Sequence, residues 1–64
     1  MLDTQYLRRR RRQEGLRLVD MAEKLGYASI NGFWLLEQGI TKPRVEHLVK
    51  LSKIFEEPYE KFIR

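Results

Sequence analysis

The sequence predicts an all-α fold, compact and built from five short helices. Apolar residues recur at spacings of three and four, which is the period of a helix that buries one face. Gly15, Gly26 and Gly39 each follow one of these segments, at the position where a left-handed residue commonly ends a helix. No segment alternates polar and apolar residues in the way that a half-buried strand does.

These signals set the predicted limits of the first two helices. The first is predicted to begin after Asp3 or Thr4, which are both acceptable N-cap residues, and to extend to about Glu14. The second is predicted over residues 18–25, with Gly26 at its end. Its apolar face is expected to contain Val19, Met21, Ala22 and Leu25.

Three further helices complete the prediction. The third extends from the N-cap candidate Ser29 to about Gln38 and directs Phe33 and Leu36 to the core. The fourth begins at Pro43, a residue that suits the first helical position, and ends near residue 55. The fifth covers residues 58–63. The expected core residues of these last two helices are Val45, Leu48, Leu51 or Ser52, Phe55, Tyr59, Phe62 and Ile63.

Length and composition limit the classes of protein to consider. The chain has 64 residues, which suffices for one domain over residues 1–64. It has no cysteine and one histidine, so we expect neither a metal site nor a cofactor. No apolar run approaches the roughly 20 residues that span a bilayer, and the N-terminus lacks the apolar segment of a signal peptide. We therefore expect a cytoplasmic protein without a membrane partner.

Positive charge is concentrated in one run. The net charge is +4, and the arginines at positions 8–12 alone exceed that sum. A local basic patch favours a polyanionic partner. Because successive residues of a helix are about 100° apart, these arginines cannot all face solvent. At least one is expected to point inward, either as a conflict or within a buried ion pair.

A helix pair joined by a glycine-containing turn is the most informative feature. The second predicted helix ends at Leu25 and Gly26, and the third begins about three residues later. This spacing is compatible with a helix-turn-helix that presents its second helix to the major groove, over about residues 18–38. It is equally compatible with a plain helical hairpin.

Residues spread over most of the chain carry a family resemblance. They are Arg11, Gly15, Leu16, residues 21–26, Phe33, Leu36, Glu37, Gly39, Lys42, Pro43, Leu48 and residues 51–53. With these residues, the segment 7–63 resembles the helix-turn-helix domain of phage repressors, the lambda-repressor and Cro-like family, also called XRE-like. The resemblance implies a lambda-repressor-like fold that binds double-stranded DNA.

The resemblance also implies roles for individual residues. Arg11 is expected to form a structural ion pair with Glu37, against the alternative that both are solvated. The expected base contacts are Ser29, Ile30, Asn31 and Leu35. Asn31 has the strongest chemistry for this role, because its amide bonds bidentately to adenine. The alternative for Asn31 is a bond back to its own helix N-terminus.

Several cations and one amide are expected at the DNA backbone. The implied phosphate contacts are Arg10, Arg17, Gln38, Lys42 and Arg44, and the alternative for each charge is simple solvation. The sequence departs from the family at some of these places. Leu18 replaces a frequent glutamine that binds phosphate, and Arg17 replaces a capping serine. The turn segment also has one additional residue, and Gly32 lies inside the third helix, where either a close approach to DNA or tolerance could explain it.

Two adjacent apolar residues do not fit a base-reading helix. Phe33 and Leu36 already supply the core face of the third helix, so Trp34 and Leu35 cannot both be buried. Trp34 is expected either to cover a neighbouring helix as peripheral core or to join a surface for a partner. The same alternatives apply to the C-terminal residues Phe55, Tyr59, Phe62 and Ile63, which are candidates for a dimer or partner surface.

The most consistent function is sequence-specific binding of double-stranded DNA by a small transcriptional regulator. We expect a repressor of the phage or mobile-element kind, acting in the bacterial cytoplasm at the nucleoid, with two copies on a two-fold operator. The alternative is a protein-interaction module on the same fold, such as an antitoxin, with weak or non-specific DNA binding. An enzyme is not expected, because the sequence offers no nucleophile with a base and no glycine-rich phosphate loop.

Overall fold

Four α-helices and one short 3-10 turn form the structure, a computed structural model that describes residues 1–64. The elements are α1 (Thr4–Gln13), α2 (Leu18–Leu25), α3 (Ile30–Glu37), α4 (Val45–Phe55) and the 3-10 turn Tyr59–Phe62. The all-α prediction is confirmed, and the prediction of a fifth helix is wrong. None of the helices has the length and apolar character needed to cross a membrane.

The C-terminal segment is too constrained to form a helix. Pro58 and Ile63 both have extended backbone conformations, which leaves four residues between them for one 3-10 turn. Ile63 forms an antiparallel β-bridge with Leu2, and the N–H of Asp3 donates to the carbonyl of Phe62 at 2.7 Å. The two ends of the chain therefore close one side of the core together, and Leu2 is buried there.

Glycine-based stops end the first three helices, as predicted. Gly26 has φ +83°, a conformation that costs glycine little, and the N–H of Tyr27 donates back to the carbonyl of Ala22 at 2.9 Å. The same pair of features recurs after α1 and after α3. α2 therefore stops abruptly at Leu25, which turns the chain toward α3.

The end of α4 has the same geometry without glycine. Glu56 adopts φ +52°, which costs a residue with a side chain about 1–2 kcal/mol. The following residue holds this turn in place: the Glu57 carboxylate accepts bonds from the Tyr6 hydroxyl at 2.6 Å and from Arg10 Nε at 2.8 Å. These bonds lower the pKa of Glu57, the bond from Tyr6 contributing most. α1 thus fixes the turn after α4.

The third residue of α2 and the third residue of α4 each accept a hydrogen bond from the N-cap residue of the same helix. The N–H of Arg17 donates to the Asp20 carboxylate at 2.8 Å, and the N–H of Arg44 donates to His47 Nδ1 at 3.2 Å. Each bond satisfies a donor at the helix start, which is half of a capping box. Arg44 is thereby the N-cap of α4, so the predicted start of this helix at Pro43 is wrong.

One cluster of ten buried apolar residues forms the core. It draws on every element and consists of Leu2, Leu7, Met21, Ala22, Leu25, Phe33, Leu36, Leu51, Phe55 and Phe62. Three predicted core residues lie at the surface: Val45 is 77% exposed, Tyr59 47% and Ile63 37%. In α4 the buried face is instead His47, Leu51 and Phe55, spaced four residues apart, and Val45 lies outside this stripe.

The inward-pointing arginines pair with carboxylates. Arg11 Nε donates to Glu37 Oε1 at 2.8 Å, and only 12% and 2% of these two side chains are exposed. The same guanidinium donates to the carbonyl of Leu16 at 2.9 Å. Arg11 therefore connects α1 to the loop before α2 and to the last residue of α3. A second inward arginine, Arg10, pairs with Glu57.

Removing either member of the Arg11–Glu37 pair should destabilise the protein strongly. Glu37→Met leaves a largely buried guanidinium without its carboxylate, and breaking such a pair costs about 3–5 kcal/mol. The double variant Arg11→Met/Glu37→Met should cost less than the sum of the two single variants, because it buries no lone charge. Urea unfolding of the four proteins measures this coupling. The exposed neighbour Arg12→Met is the control and should change stability by about 0.5 kcal/mol at most. Additive single effects would contradict the prediction.

Candidate nucleic-acid interface

The outward face of α3 is exposed and mixed in chemistry. Ile30 is 46% exposed and Trp34, one turn later, 41%, and neither belongs to the core. Asn31 and Gln38 are exposed on the same side. Ser29 occupies the N-cap of α3 but makes no side-chain cap bond, so its hydroxyl is free at the start of the helix. Trp34 is also not among the partly buried residues packed against the core, and its role in a partner surface stays a prediction.

Gly32 faces a neighbouring ring. A Cβ atom on Gly32 would overlap Cδ1 of Tyr27 and would lie 2.9 Å from its Cγ. The Tyr27 ring therefore occupies the space that a side chain would need. Packing against Tyr27 explains the glycine. Neither of the two reasons considered in the sequence analysis, a close approach to DNA or tolerance, involves this contact.

Tyr27 also connects the turn to the start of α4. Its ring centroid lies 5.0 Å from that of His47, whose Nδ1 accepts the N–H of Arg44. An atom that accepts this bond carries no proton, so the bond needs neutral His47. Burial lowers the pKa of His47, with Arg44 and Lys50 adding to this effect and Glu46 opposing it. His47 is a buried structural residue that the sequence analysis did not identify.

A cleft of about 580 Å³ lies between the turn, α3 and the start of α4. Leu35 lines it and is half-buried, so this predicted base contact is less exposed than Ile30 or Asn31. Three cations, Lys42, Arg44 and Lys50, line the cleft together with one carboxylate, Glu46. Two expected phosphate contacts, Lys42 and Arg44, are therefore brought next to the exposed side of α3.

The residues expected to contact the DNA backbone differ in whether they already bond to other residues of the protein. Arg17 is 77% exposed and lies against Asp20, which lowers the pKa of Asp20 mainly through the side-chain hydrogen bond. Arg44 lies 3.7 Å from Glu46 in a pair that solvent screens. Lys42 and Gln38 are exposed beside each other along the loop that follows α3.

This arrangement can be compared with known proteins. A family model described as a helix-turn-helix domain matches residues 4–58 of the chain. The chain belongs to the helix-turn-helix family. No curated protein and no solved structure gives a significant match. In helix-turn-helix proteins the second helix of the motif lies in the major groove. That α2 and α3 are the two helices of the motif stays a prediction.

Arg10 differs from the other cations that are expected to contact phosphate, because its guanidinium is already bonded to several residues of the protein. Its guanidinium donates to Glu57, to Gln13 and to the carbonyl of Phe55, and only 18% of the side chain is exposed. It also lies 5.3 Å from the Phe55 ring centroid. The protein itself thus uses the donors that a phosphate would need, and Arg10 acts in the structure as a connection between α1 and α4.

The predicted partner surface is divided by the fold. Phe55 and Phe62 are core residues, whereas Trp34, Tyr59 and Ile63 are exposed. Ile40, Val45 and Val49 are further exposed apolar side chains; the sequence analysis placed Val45 in the core and assigned no place to the other two. Val45 and Val49 are exposed because α4 is oriented with His47, and not these two residues, toward the core. No three side chains of the metal-binding types lie close enough to hold a metal ion.

Gly32→Ala should destabilise the protein even though alanine favours helices. The gain in helix propensity is about 0.5–1 kcal/mol, whereas overlap with the Tyr27 ring costs about 1–3 kcal/mol. Thermal unfolding followed by circular dichroism tests the sign. In a Tyr27→Ala background the overlap is gone, so the same substitution should become stabilising. A stabilising effect in both backgrounds would show that Tyr27 is not the reason for the glycine.

Stability should fall as pH decreases below about 6.5, the ordinary pKa of histidine. The folded state holds His47 neutral and lowers its pKa, so the unfolded chain takes up the proton first and stability is lost with decreasing pH. Asp20 and Glu57 also have lowered pKa values, but their contributions are lost only in more acidic solution, below about pH 4.5.

Urea unfolding at a series of pH values measures this dependence. His47→Gln is the matched variant, because glutamine keeps an acceptor for the Arg44 N–H and does not titrate. The variant should lose the slope near pH 6 and keep the acidic one. An unchanged slope near pH 6 in His47→Gln would assign it to another group.

Proposed function

We propose that this helix-turn-helix chain binds double-stranded DNA with sequence specificity and acts as a small transcriptional regulator, most consistently a repressor of the phage or mobile-element kind. The observation that supports this best is the exposed face of α3. It follows a turn held by Gly26 and Tyr27, and it is bordered by cations on the neighbouring loop. Domain organisation fits this role, with residues 1–64 acting as one DNA-binding unit.

The N-terminal part of α3 supplies the base contacts in this proposal. Asn31 donates to and accepts from adenine in the major groove, and Ser29 bonds a base or a phosphate with its free hydroxyl. Ile30 packs on thymine methyl groups, and Leu35 adds apolar contact at the edge of the cleft. Base recognition therefore combines one strong polar contact with apolar ones.

Phosphate contacts set the position of α3 on the duplex. Lys42 and Gln38 are free to make them. Arg17 and Arg44, which are themselves exposed, exchange their carboxylate partners for phosphate, which is favourable because surface ion pairs contribute about 1 kcal/mol or less. We assign Arg10 no phosphate, since Glu57 and its neighbours occupy its donors.

Repression follows from occupancy of the operator. Two copies bind the half-sites of a two-fold operator, one helical turn or a multiple of it apart, and exclude other proteins from that DNA. The exposed apolar side chains at the C-terminal side, Tyr59 and Ile63, are the candidates for contact between the copies. A regulator of this kind acts where the DNA is, in the bacterial cytoplasm at the nucleoid.

A second candidate function is recognition of a protein partner. It is favoured by the exposure of Ile30 and Trp34, one turn apart on α3, because aromatic and aliphatic side chains at such positions are typical binding hot spots. In this alternative the chain retains weak, salt-sensitive DNA binding, as an antitoxin or a partner-binding module would.

Selection from a randomised duplex library, at low and at near-physiological salt, distinguishes the two functions. We expect an enriched motif that survives the higher salt, with two half-sites related by a two-fold axis. Asn31→Ala should reduce affinity for that motif by about 1–3 kcal/mol and relax the preference at one position. Trp34→Ala is the comparison and should leave the motif unchanged. Binding that selects no sequence and disappears with added salt would support the partner-binding function instead.

A further inference from the structure

The arginine run divides into two functional sets. Arg10 and Arg11 point inward and are held by Glu57 and Glu37. Arg8, Arg9 and Arg12 take part in no ion pair. The run is therefore explained only in part by the stability of the fold, and three cations on one helix remain without a role.

These three arginines form one continuous surface, which we call the α1 stripe. Together with Gln5 and Gln13 they line a shallow groove of about 440 Å³. No carboxylate and no apolar side chain lines that groove. Arg9 additionally lies over the ring of Tyr6, 5.4 Å from its centroid, which limits the freedom of its side chain. The stripe is a positive surface that the protein does not neutralise.

The stripe borders α3 and the start of α2. Thr4 and Arg11 contact the end of α3, since Arg11 bonds Glu37 and a Cβ atom on Gly39 would lie 3.5 Å from Thr4 Cγ2. Arg8 is one helical turn from Thr4 and lies on the same side of α1. At its other margin the stripe reaches Tyr6, since Arg9 lies over the Tyr6 ring and the Tyr6 hydroxyl bonds Glu57.

The end of the stripe lies near the predicted rim of the DNA-binding surface. Arg12 precedes Arg17, the N-cap of α2, by five residues, a span of at most about 18 Å. From there the stripe extends along α1 toward Arg8 with a rise of about 6 Å. At this distance Arg12 can reach a duplex that contacts Arg17 and continues toward α1.

The chemistry of the stripe favours the DNA backbone over a protein partner. Protein interfaces depend on buried aromatic or aliphatic anchors, and none is present in the groove. Guanidinium groups bind phosphate bidentately, and a duplex presents about one negative charge per 1.7 Å of its axis. Neutral glutamines at both ends of the stripe add hydrogen-bond donors without charge repulsion.

We propose that Arg8, Arg9 and Arg12 bind the phosphate backbone of the same duplex, outside the groove that α3 enters. This proposal rests on the proposed DNA binding by the helix-turn-helix. We expect the stripe to add affinity that is independent of sequence and depends on duplex length, because phosphate contacts outside the half-site need a duplex that continues past it. It lets a chain of this size hold DNA beyond a single half-site.

The salt dependence of binding to duplexes of two lengths tests the proposal. One duplex has about 12 base pairs, little more than one helical turn, and the other about 40, with the same central sequence taken from the selected motif. Fluorescence anisotropy gives the slope of log Kd against log salt concentration. The stripe variant is Arg8→Gln/Arg9→Gln/Arg12→Gln. The control is Lys53→Gln/Lys61→Gln/Arg64→Gln, which removes the same charge from three exposed cations elsewhere.

The stripe variant should lose slope on the long duplex only. Each lost phosphate contact removes about 0.9 from the slope, so the expected decrease is about 2–3. On the short duplex the stripe and control variants should behave alike. Equal slopes for the two variants on the long duplex would overturn the proposal. A loss of slope by the stripe variant that is equal on both duplexes would overturn it too, because the three arginines would then contact the half-site itself or a second duplex.

A failure of the proposed function gives a different result. In that case Asn31→Ala leaves the affinity for every duplex unchanged and no motif is selected, whatever the slopes are. If the wild-type chain binds neither duplex, both proposals are wrong. Circular dichroism melting of the stripe variant checks the fold, and we expect little change because its three arginines make no ion pair.

Discussion

The carboxylate of Glu37 is almost completely buried at the end of α3, and the guanidinium of Arg11 is the cation that neutralises it. Because an unpaired charge in such a place is costly, the two side chains must stay together whenever the chain is folded. Arg11 also bonds the carbonyl of Leu16, so one side chain fixes α1, the loop before α2 and the end of α3. The position of α3, and with it the surface offered to DNA, depends on this pair.

Further contacts hold α3 from its other end. The ring of Tyr27 covers Gly32 and stacks beside His47, which in turn closes the start of α4. The loop between α3 and α4 is thereby held between two fixed ends, and it carries Lys42. Base recognition requires side chains that are placed before DNA arrives, because ordering them later would reduce affinity. The outward face of α3 is the part of the helix that these internal contacts leave free.

The charge distribution divides the protein's arginines by function. Arg10 and Arg11 occupy adjacent positions in α1, so they leave it about 100° apart and bond to different carboxylates, Glu57 and Glu37. The helix period of about 100° per residue makes this division unavoidable in any run of five. Of the remaining members, Arg9 and Arg12 are exposed and Arg8 is half-buried, and none of the three takes part in an ion pair, which is why the stripe on α1 is a separate feature from the ion pairs of Arg10 and Arg11.

Helix periodicity and the glycines were sufficient to predict α2 with its observed bounds, the ends of α1 and α3, and most of the core. These features are local, since a left-handed residue ends a helix whatever surrounds it. The family resemblance supplied the Arg11–Glu37 pairing and the expected roles on α3.

Where α4 begins and which of its faces is buried depend on a bond between His47 and Arg44, and apolar spacing alone placed Val45 wrongly in the core. Glu57 and the β-bridge of Leu2 with Ile63 have meaning only through residues distant in the chain, and Gly32 only through the packing of the Tyr27 ring. The sequence by itself therefore determined the four α-helices and their order, because those follow from neighbouring residues. Only the tertiary structure decided which arginines are internal and which side chains of α3 remain exposed, because both are set by the partners that packing brings together.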